Sequence, residues 1–339
     1  MIHENVELLN VEELYTPEGV DGVAMQRVPE DVRRHLNDGA QVRMRQPASG
    51  EIRFVCEGKA RVKLGVLAEA LGVVPFYGCF QHSGALVVEG DEPTTIDLPV
   101  PERLSAARDA LPDELPFSPE VRRLMLRGGA AVFHSVEAEF CRPPRPDEVP
   151  DLRMLTYGTS ITHGSAASQA HLCYVAQAAA RLGVDLINLG VGGSCYCEPE
   201  LGDYMAARED WDLAVLALSV NMIGAGFTPD EFYERVSYLV HTVATSDESR
   251  PIFCITIYPY FQELPSVSEA LNIPTAVAPP EVYRERLRQA VEECPSDNVD
   301  LIEGTEILTD WCGLTPDVIH QAGNGMIRMG ENPARRLGP

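Results

Sequence analysis

Leu155-Thr156-Tyr157-Gly158-Thr159-Ser160-Ile161-Thr162-His163-Gly164 is the stretch from which the rest of this 339-residue sequence can be read. An apolar run, Leu152 to Tyr157, meets a glycine, presents a serine and passes a second glycine before an alanine-rich segment begins near Gln169. That pattern predicts a buried strand breaking into a tight turn that displays one hydroxyl. A serine at the carboxyl end of a parallel strand stands where open α/β sheets bind ligands, and a helix N-terminus beside it offers N–H groups to developing negative charge. Two readings are open: a nucleophile, or a turn using Gly and Ser for conformational ease.

Downstream, strand-like runs at Asp185–Val191, Leu213–Val220, Ile252–Tyr258 and Val299–Ile302 alternate with helical stretches. The helical stretches fall near Gln169–Leu182, Pro199–Arg208, Thr228–Ala244, Pro280–Cys294 and Asn324–Leu337. Such alternation implies right-handed βαβ units and a parallel sheet covered on both faces. Thr228, Pro229 and Glu231 spell a helix start: an N-cap, a proline at the first position and a capping box.

Upstream the texture differs. Short runs at Val6–Tyr15, Val42–Arg45, Ile52–Cys56, Arg61–Leu67, Val73–Phe80, Ala85–Val88, Thr94–Val100, Leu124–Leu126 and Ala131–Phe140 suggest strands, several alternating apolar and charged residues. Period-two alternation in many short strands predicts a β-sandwich or jelly roll over residues 1–145. Cys141–Pro150 holds four prolines, which forbid a helix interior or a central strand, so it is expected to be a stiff linker to a second domain, 146–339.

The balance of 51 acidic against 27 basic residues gives a net charge of -24. That argues against nucleic acid or an anionic membrane surface as partner and disfavours anionic substrates. No run approaches a membrane span and the start lacks a signal-peptide pattern, so a cytoplasmic location is expected. Nine scattered cysteines, an odd number, do not form a disulfide framework. Cys195-Tyr196-Cys197 has no companion pair of metal-ligand spacing, and no metal is expected.

Three further blocks accompany Ser160. Asn188-Leu189-Gly190-Val191-Gly192-Gly193-Ser194 follows a strand; its glycines let backbone N–H groups approach a ligand, and the spacing departs from a dinucleotide-binding loop. An oxyanion loop is the favoured reading. Asn221 ends the Leu213–Val220 run, where its amide can turn to the same crevice or simply cap the chain. Asp317 and His320 lie three apart before the last helix, a spacing that is common and by itself carries no function, or one that lets a carboxylate fix an imidazole as the base half of a serine triad.

Together the four blocks resemble the SGNH hydrolases, the GDSL-like lipase and acylhydrolase superfamily, over roughly the last 190 residues. The resemblance implies a flavodoxin-like three-layer α/β/α domain with Ser160 as nucleophile and Asp317 with His320 as acid–base pair. It implies Gly193, five residues after Asn188, and Asn221 as oxyanion donors alongside the Ser160 N–H. Three positions depart from the family pattern: Gly158-Thr159-Ser160 for Gly-Asp-Ser, Ser219-Val220-Asn221-Met222 for Gly-x-Asn-Asp, and Gln321 after the histidine in place of proline. The first block joined to a β-rich N-terminal domain looks like the two-domain branch that includes tailoring acyltransferases and carbohydrate esterases.

The resulting expectation is a serine-dependent acyl ester hydrolase without cofactor, acting on a short acyl group of a sugar or small-molecule ester. Water or an acceptor alcohol resolves its acyl-enzyme. His163 is expected as a pocket wall; Tyr258, Tyr260 and Phe261 are open to two readings, stacking on a sugar or aromatic ring as substrate contacts, or ordinary strand-end packing. A sugar-binding protein that kept the scaffold without catalysis, and a flavodoxin-like carrier, are competing readings; neither explains Asp317 and His320.

Overall fold

The computed structural model describes residues 1–82, 84–112, 114–272 and 276–337. The strand Arg153–Gly158 pairs in parallel with Asp185–Asn188 on one side and Leu213–Ala217 on the other; Ile252–Ile255 and Val299–Ile302 complete a parallel sheet. The serine-bearing strand is thus one place in from the edge. Its alternating side chains sort to opposite faces, as a period of two requires. Leu155 and Tyr157 join a core with helices Pro199–Ala207, Pro229–Ser246 and Pro280–Glu292. Met154 joins a second core with Tyr174–Leu182 and Gly323–Leu337. Both faces are covered, giving the expected three layers.

The Thr228 signal is realised: its hydroxyl accepts from Glu231 N, and the Glu231 carboxylate accepts from Thr228 N. The helix expected from Gln169 is interrupted. Ala170–Leu172 forms a 3₁₀ turn, and the α-helix begins only at Tyr174.

The N-terminal part is a branched antiparallel sheet around an apolar cluster that includes Phe54, Val62, Leu124 and Phe133. Its axis is one strand, Ala48–Val66, so the expected runs at Ile52–Cys56 and Arg61–Leu67 are one element. The first half pairs with Val6–Leu9 and Val121–Gly128, the second with Thr94–Leu98 and Ala131–Arg142. By changing partners along its length, this strand joins its neighbours into one continuous antiparallel sheet.

The run Val42–Arg45 is not a strand. It closes the helix Asp38–Arg43, whose N-cap Asn37 accepts from Ala40 N at 3.1 Å; a short helix Glu30–His35 precedes it. Val28, Leu36, Ala40 and Met44 are buried with Leu155, Tyr157, Val191 and Leu218, inside the core of the parallel-sheet layer. This hairpin of helices therefore packs with the C-terminal half although it precedes most of the N-terminal strands.

Residues 141–150 are held firmly. Cys141 and Arg142 still belong to a strand, Pro146–Glu148 form a 3₁₀ turn, and the Arg142 guanidinium grips the Glu148 carboxylate through two hydrogen bonds of 2.7 Å.

Candidate active site

Gly158 lets the strand end tightly against its neighbour. A methyl group there would lie 2.4 Å from Thr162 Oγ1 and 2.8 Å from Ala217 O, so only a glycine fits without displacement. The chain then enters a single helical turn, Ser160–His163, with Thr159 as N-cap accepting from Ile161 N at 3.3 Å. Thr159, at the usual aspartate position, thus performs a capping role that a carboxylate could also fill. Ser160 opens the turn, where a backbone N–H has no acceptor within the helix. The turn closes at Gly164, φ +84°, in the left-handed region.

The end of the chain supplies the partners. Ser160 Oγ lies 2.8 Å from His320 Nε2, and His320 Nδ1 lies 2.7 Å from Asp317 Oδ2. Asp317 Oδ1 accepts from Thr315 Oγ1 and from the backbone N–H groups of Ile319 and His320. Partial burial works to raise the Asp317 carboxyl, but these donors, led by His320, outweigh it and hold the group well below the usual carboxylate range. An ionised Asp317 only accepts, so His320 Nδ1 carries the proton, Nε2 is the acceptor, and the Ser160 O–H donates to it. The two-residue bridge Leu314↔Gln321 and the bond from Thr315 N to His320 O close the loop that carries the pair. Gln321, fully buried, stands where the family has proline.

The loop after Asp185–Asn188 lies alongside. Asn188 Nδ2 donates to Thr162 O at 2.8 Å and its Oδ1 accepts from Gly190 N at 2.9 Å, tying this loop to the serine turn. Gly193 sits at φ +74° with open space around its α-carbon. Asn221 Oδ1 accepts from Cys195 N at 3.2 Å. One end of its amide is thereby fixed, and the Nδ2 group has no protein acceptor among the described residues. Ser160, Gly193, Asn221, Asp317 and His320 thus come from four separate chain segments to one region.

His163 and Tyr258 are both mostly buried. His163 is 8% exposed, and burial, with the charges of Arg27, Arg43 and Arg127, pushes its pKa well down, keeping the ring neutral. Tyr258 is 6% exposed and packs edge-to-face on Tyr174, with ring centroids 6.1 Å apart. Ser160 itself is equally buried, at 8% exposed, and Tyr258 lines a small cavity with Thr159, Ile161 and Val220 beside the serine turn. Tyr260 is likewise buried against Phe261. Among the described residues, no group of three His, Cys, Asp or Glu side chains is arranged to hold a metal, and no helix is long and apolar enough to cross a membrane.

The N-terminal half docks on the site through specific contacts. Asn188 O accepts from Asn10 Nδ2 at 3.0 Å and from Arg27 Nη1 at 2.8 Å. Ser194 O accepts from Asn37 Nδ2 at 2.9 Å, and a methyl group at Gly39 would collide with Ser194 Oγ. Arg43, ending the second short helix, lies close to Gly192. The readable signals were Pro29-Glu30-Asp31 and Asn37-Asp38, a proline or Asn cap followed by first-turn acids.

A family model described as GDSL-like lipase/acylhydrolase matches residues 152–337. No curated protein matches the sequence. Among solved structures, the chain is similar to a salicylyl-acyltransferase from a tetracycline biosynthetic pathway, at 17% identity and TM-score 0.76, covering 98% of this chain and 94% of that one. It is also similar to family two carbohydrate esterases from Cellvibrio japonicus (10% identity, TM-score 0.63, 98% and 94% covered) and Clostridium thermocellum (13%, 0.59, 86% and 92%). At these identities the likeness is one of fold, and it extends over both halves of the chain.

Proposed function

The chain belongs to the GDSL-like lipase/acylhydrolase family, and from that premise we propose that it cleaves a short acyl group from a sugar or small-molecule ester through an acyl-enzyme on Ser160. The observation that carries this reading is the unbroken hydrogen-bonded line from Ser160 through His320 to Asp317. His320 Nε2 takes the Ser160 proton as Oγ attacks the carbonyl carbon. Asp317 holds the Nδ1–H tautomer and stabilises the imidazolium that forms. The oxyanion is met by the N–H groups of Ser160 and Gly193 and by Asn221 Nδ2, and His320 returns the proton to the departing alkoxide. Water activated by the same imidazole then releases the acid and restores the serine.

Residues 1–145 act in this reading as a buttress. Asn10, Arg27 and Asn37 fix the backbone on either side of Gly193, the placement on which an oxyanion donor depends. The decisive experiment is labelling with a fluorophosphonate probe followed by peptide mapping, alongside turnover of phenyl acetate. Label on Ser160, and hydrolysis lost in Ser160→Ala, are expected. Label elsewhere, or turnover that survives the substitution, would overturn the assignment.

A further inference from the structure

Most arginines of this acidic chain are ion-paired, and Arg43 belongs to the minority among the described residues that are not. Arg288, for instance, meets Glu281, Glu285 and Glu303, and Arg53 meets Glu51 and Asp185. Arg43 has no carboxylate within 4.0 Å among the described residues, and of its five guanidinium N–H groups one is committed, from Nη1 to Gln46 Oε1 at 2.7 Å. With 51 acids in the sequence, a shortage of partners is no explanation.

Its position supplies one. A methyl group placed on Gly192 would lie 3.1 Å from Ser165 Oγ, 3.6 Å from Arg43 Nε and 3.7 Å from Ser160 Cβ. The missing side chain of Gly192 therefore lets a guanidinium, a hydroxyl and the nucleophilic residue approach one point of the loop closely. Arg27, by contrast, is consumed: it is fully buried and donates to the carbonyls of Gln46, Asn188 and Arg43. Arg127 is engaged by Ser165 O and Ser168 O. These two add positive potential without offering a free fork.

Building on the Ser160 hydrolase reading, we propose that Arg43 and Ser165 bind a carboxylate carried by the substrate, so that the preferred ester is an anion. A guanidinium holds a carboxylate through charge-assisted, directional bonds, and next to the nucleophile such a contact would orient the scissile carbonyl. The depressed pKa of the buried His163, caused by burial and then by Arg27, Arg43 and Arg127, fits a locally positive site within a negative surface. The overall charge of the chain, which disfavours anionic substrates, is here reversed at short range.

Two matched pairs test this on the full-length protein: 4-nitrophenyl succinate against its methyl ester for a charge in the acyl half, and 3-acetoxybenzoate against 3-acetoxybenzamide for a charge in the alcohol half. Rates are corrected with Ser160→Ala protein for spontaneous hydrolysis. In at least one pair the anionic ester should have the higher kcat/KM. Arg43→Gln should lower that anionic-to-neutral ratio about tenfold, mainly through KM, with Arg43→Lys between the two. A ratio unchanged by Arg43→Gln in both pairs, while Ser160-dependent turnover persists, overturns the proposal and leaves the hydrolase reading standing. If none of the four esters is turned over, calorimetric titration with monomethyl succinate and 3-hydroxybenzoate decides. Binding that Arg43→Gln abolishes supports the anion site, and binding absent or insensitive to the substitution overturns it.

Discussion

Arg53 and Asp185 form a two-pronged ion pair, 2.8 and 2.7 Å, between the longest antiparallel strand and the edge strand of the parallel sheet, and each is only 1% exposed. Arg53 Nε also donates to Glu51, which is gripped in turn by Arg123. Burial disfavours these charges strongly, but the carboxylates around Arg53 outweigh that cost and keep its guanidinium charged. The halves of the molecule are thus joined through a buried ionic contact that is costly to break from one side only.

Arg53→Met strands the Asp185 carboxylate and should destabilise the protein by about 3–5 kcal/mol in urea unfolding. Arg53→Met combined with Asp185→Leu should recover much of that loss. A double variant as unstable as the sum of the singles would show that the pair is not the unit.

Glu51 contributes to the acid limb of the stability curve. Burial would raise its pKa, yet Arg123 and Arg53 dominate and lower it from 4.5 to about 2. A lowered folded-state value means that the contribution is complete above pH 4.5, where the unfolded carboxylate is ionised, and disappears as the pH falls through about 2. The shift corresponds to about 3 kcal/mol. Glu51→Gln should lower stability at pH 7 and flatten the pH dependence of unfolding across that window; an unaltered slope would exclude Glu51 as its source.

Ser160→Ala and His320→Ala should each reduce phenyl acetate turnover by at least about 10³, and the double variant should be little slower than either single, because both remove the same step. A second full decrement in the double variant would mean that the residues act separately.

Asn221→Ala should cost about 3 kcal/mol of transition-state stabilisation, expressed in kcat with KM nearly unchanged, since the oxyanion exists only after attack. A raised KM at constant kcat would make Asn221 a ground-state contact instead.

Removing residues 1–148 should do more than trim specificity. Val28, Leu36, Ala40 and Met44 fill the core beneath Leu155 and Leu218, and Asp185 would lose its partner. Circular dichroism and near-ultraviolet spectra of protein starting at Val149 should show lost tertiary packing, and a well-folded fragment would contradict this account.

The four site blocks were legible because each couples a strand end or terminal helix to a polar residue with few structural alternatives in that combination. Asp317 and His320 meet as their spacing allowed, and Ser160 joins them as the family resemblance implied. Sequence reading failed where long-range packing overrides local pattern. Val42 and its neighbours resemble a short strand, but the Asn37 cap and the burial of Ala40 and Met44 make that segment helical and seat it against the other half. Arg43 was invisible because its relation to Gly192 spans the two halves of the fold.

The Arg142–Glu148 clamp makes the junction after the last antiparallel strand a strut. Together with the buried Arg53–Asp185 pair, it restrains relative movement of the two halves. Substrate entry and product escape then depend on loop and side-chain motions, which are fast compared with typical turnover. The reaction clock should therefore be set by bond making at Ser160, and kcat should hold steady when glycerol thickens the solvent.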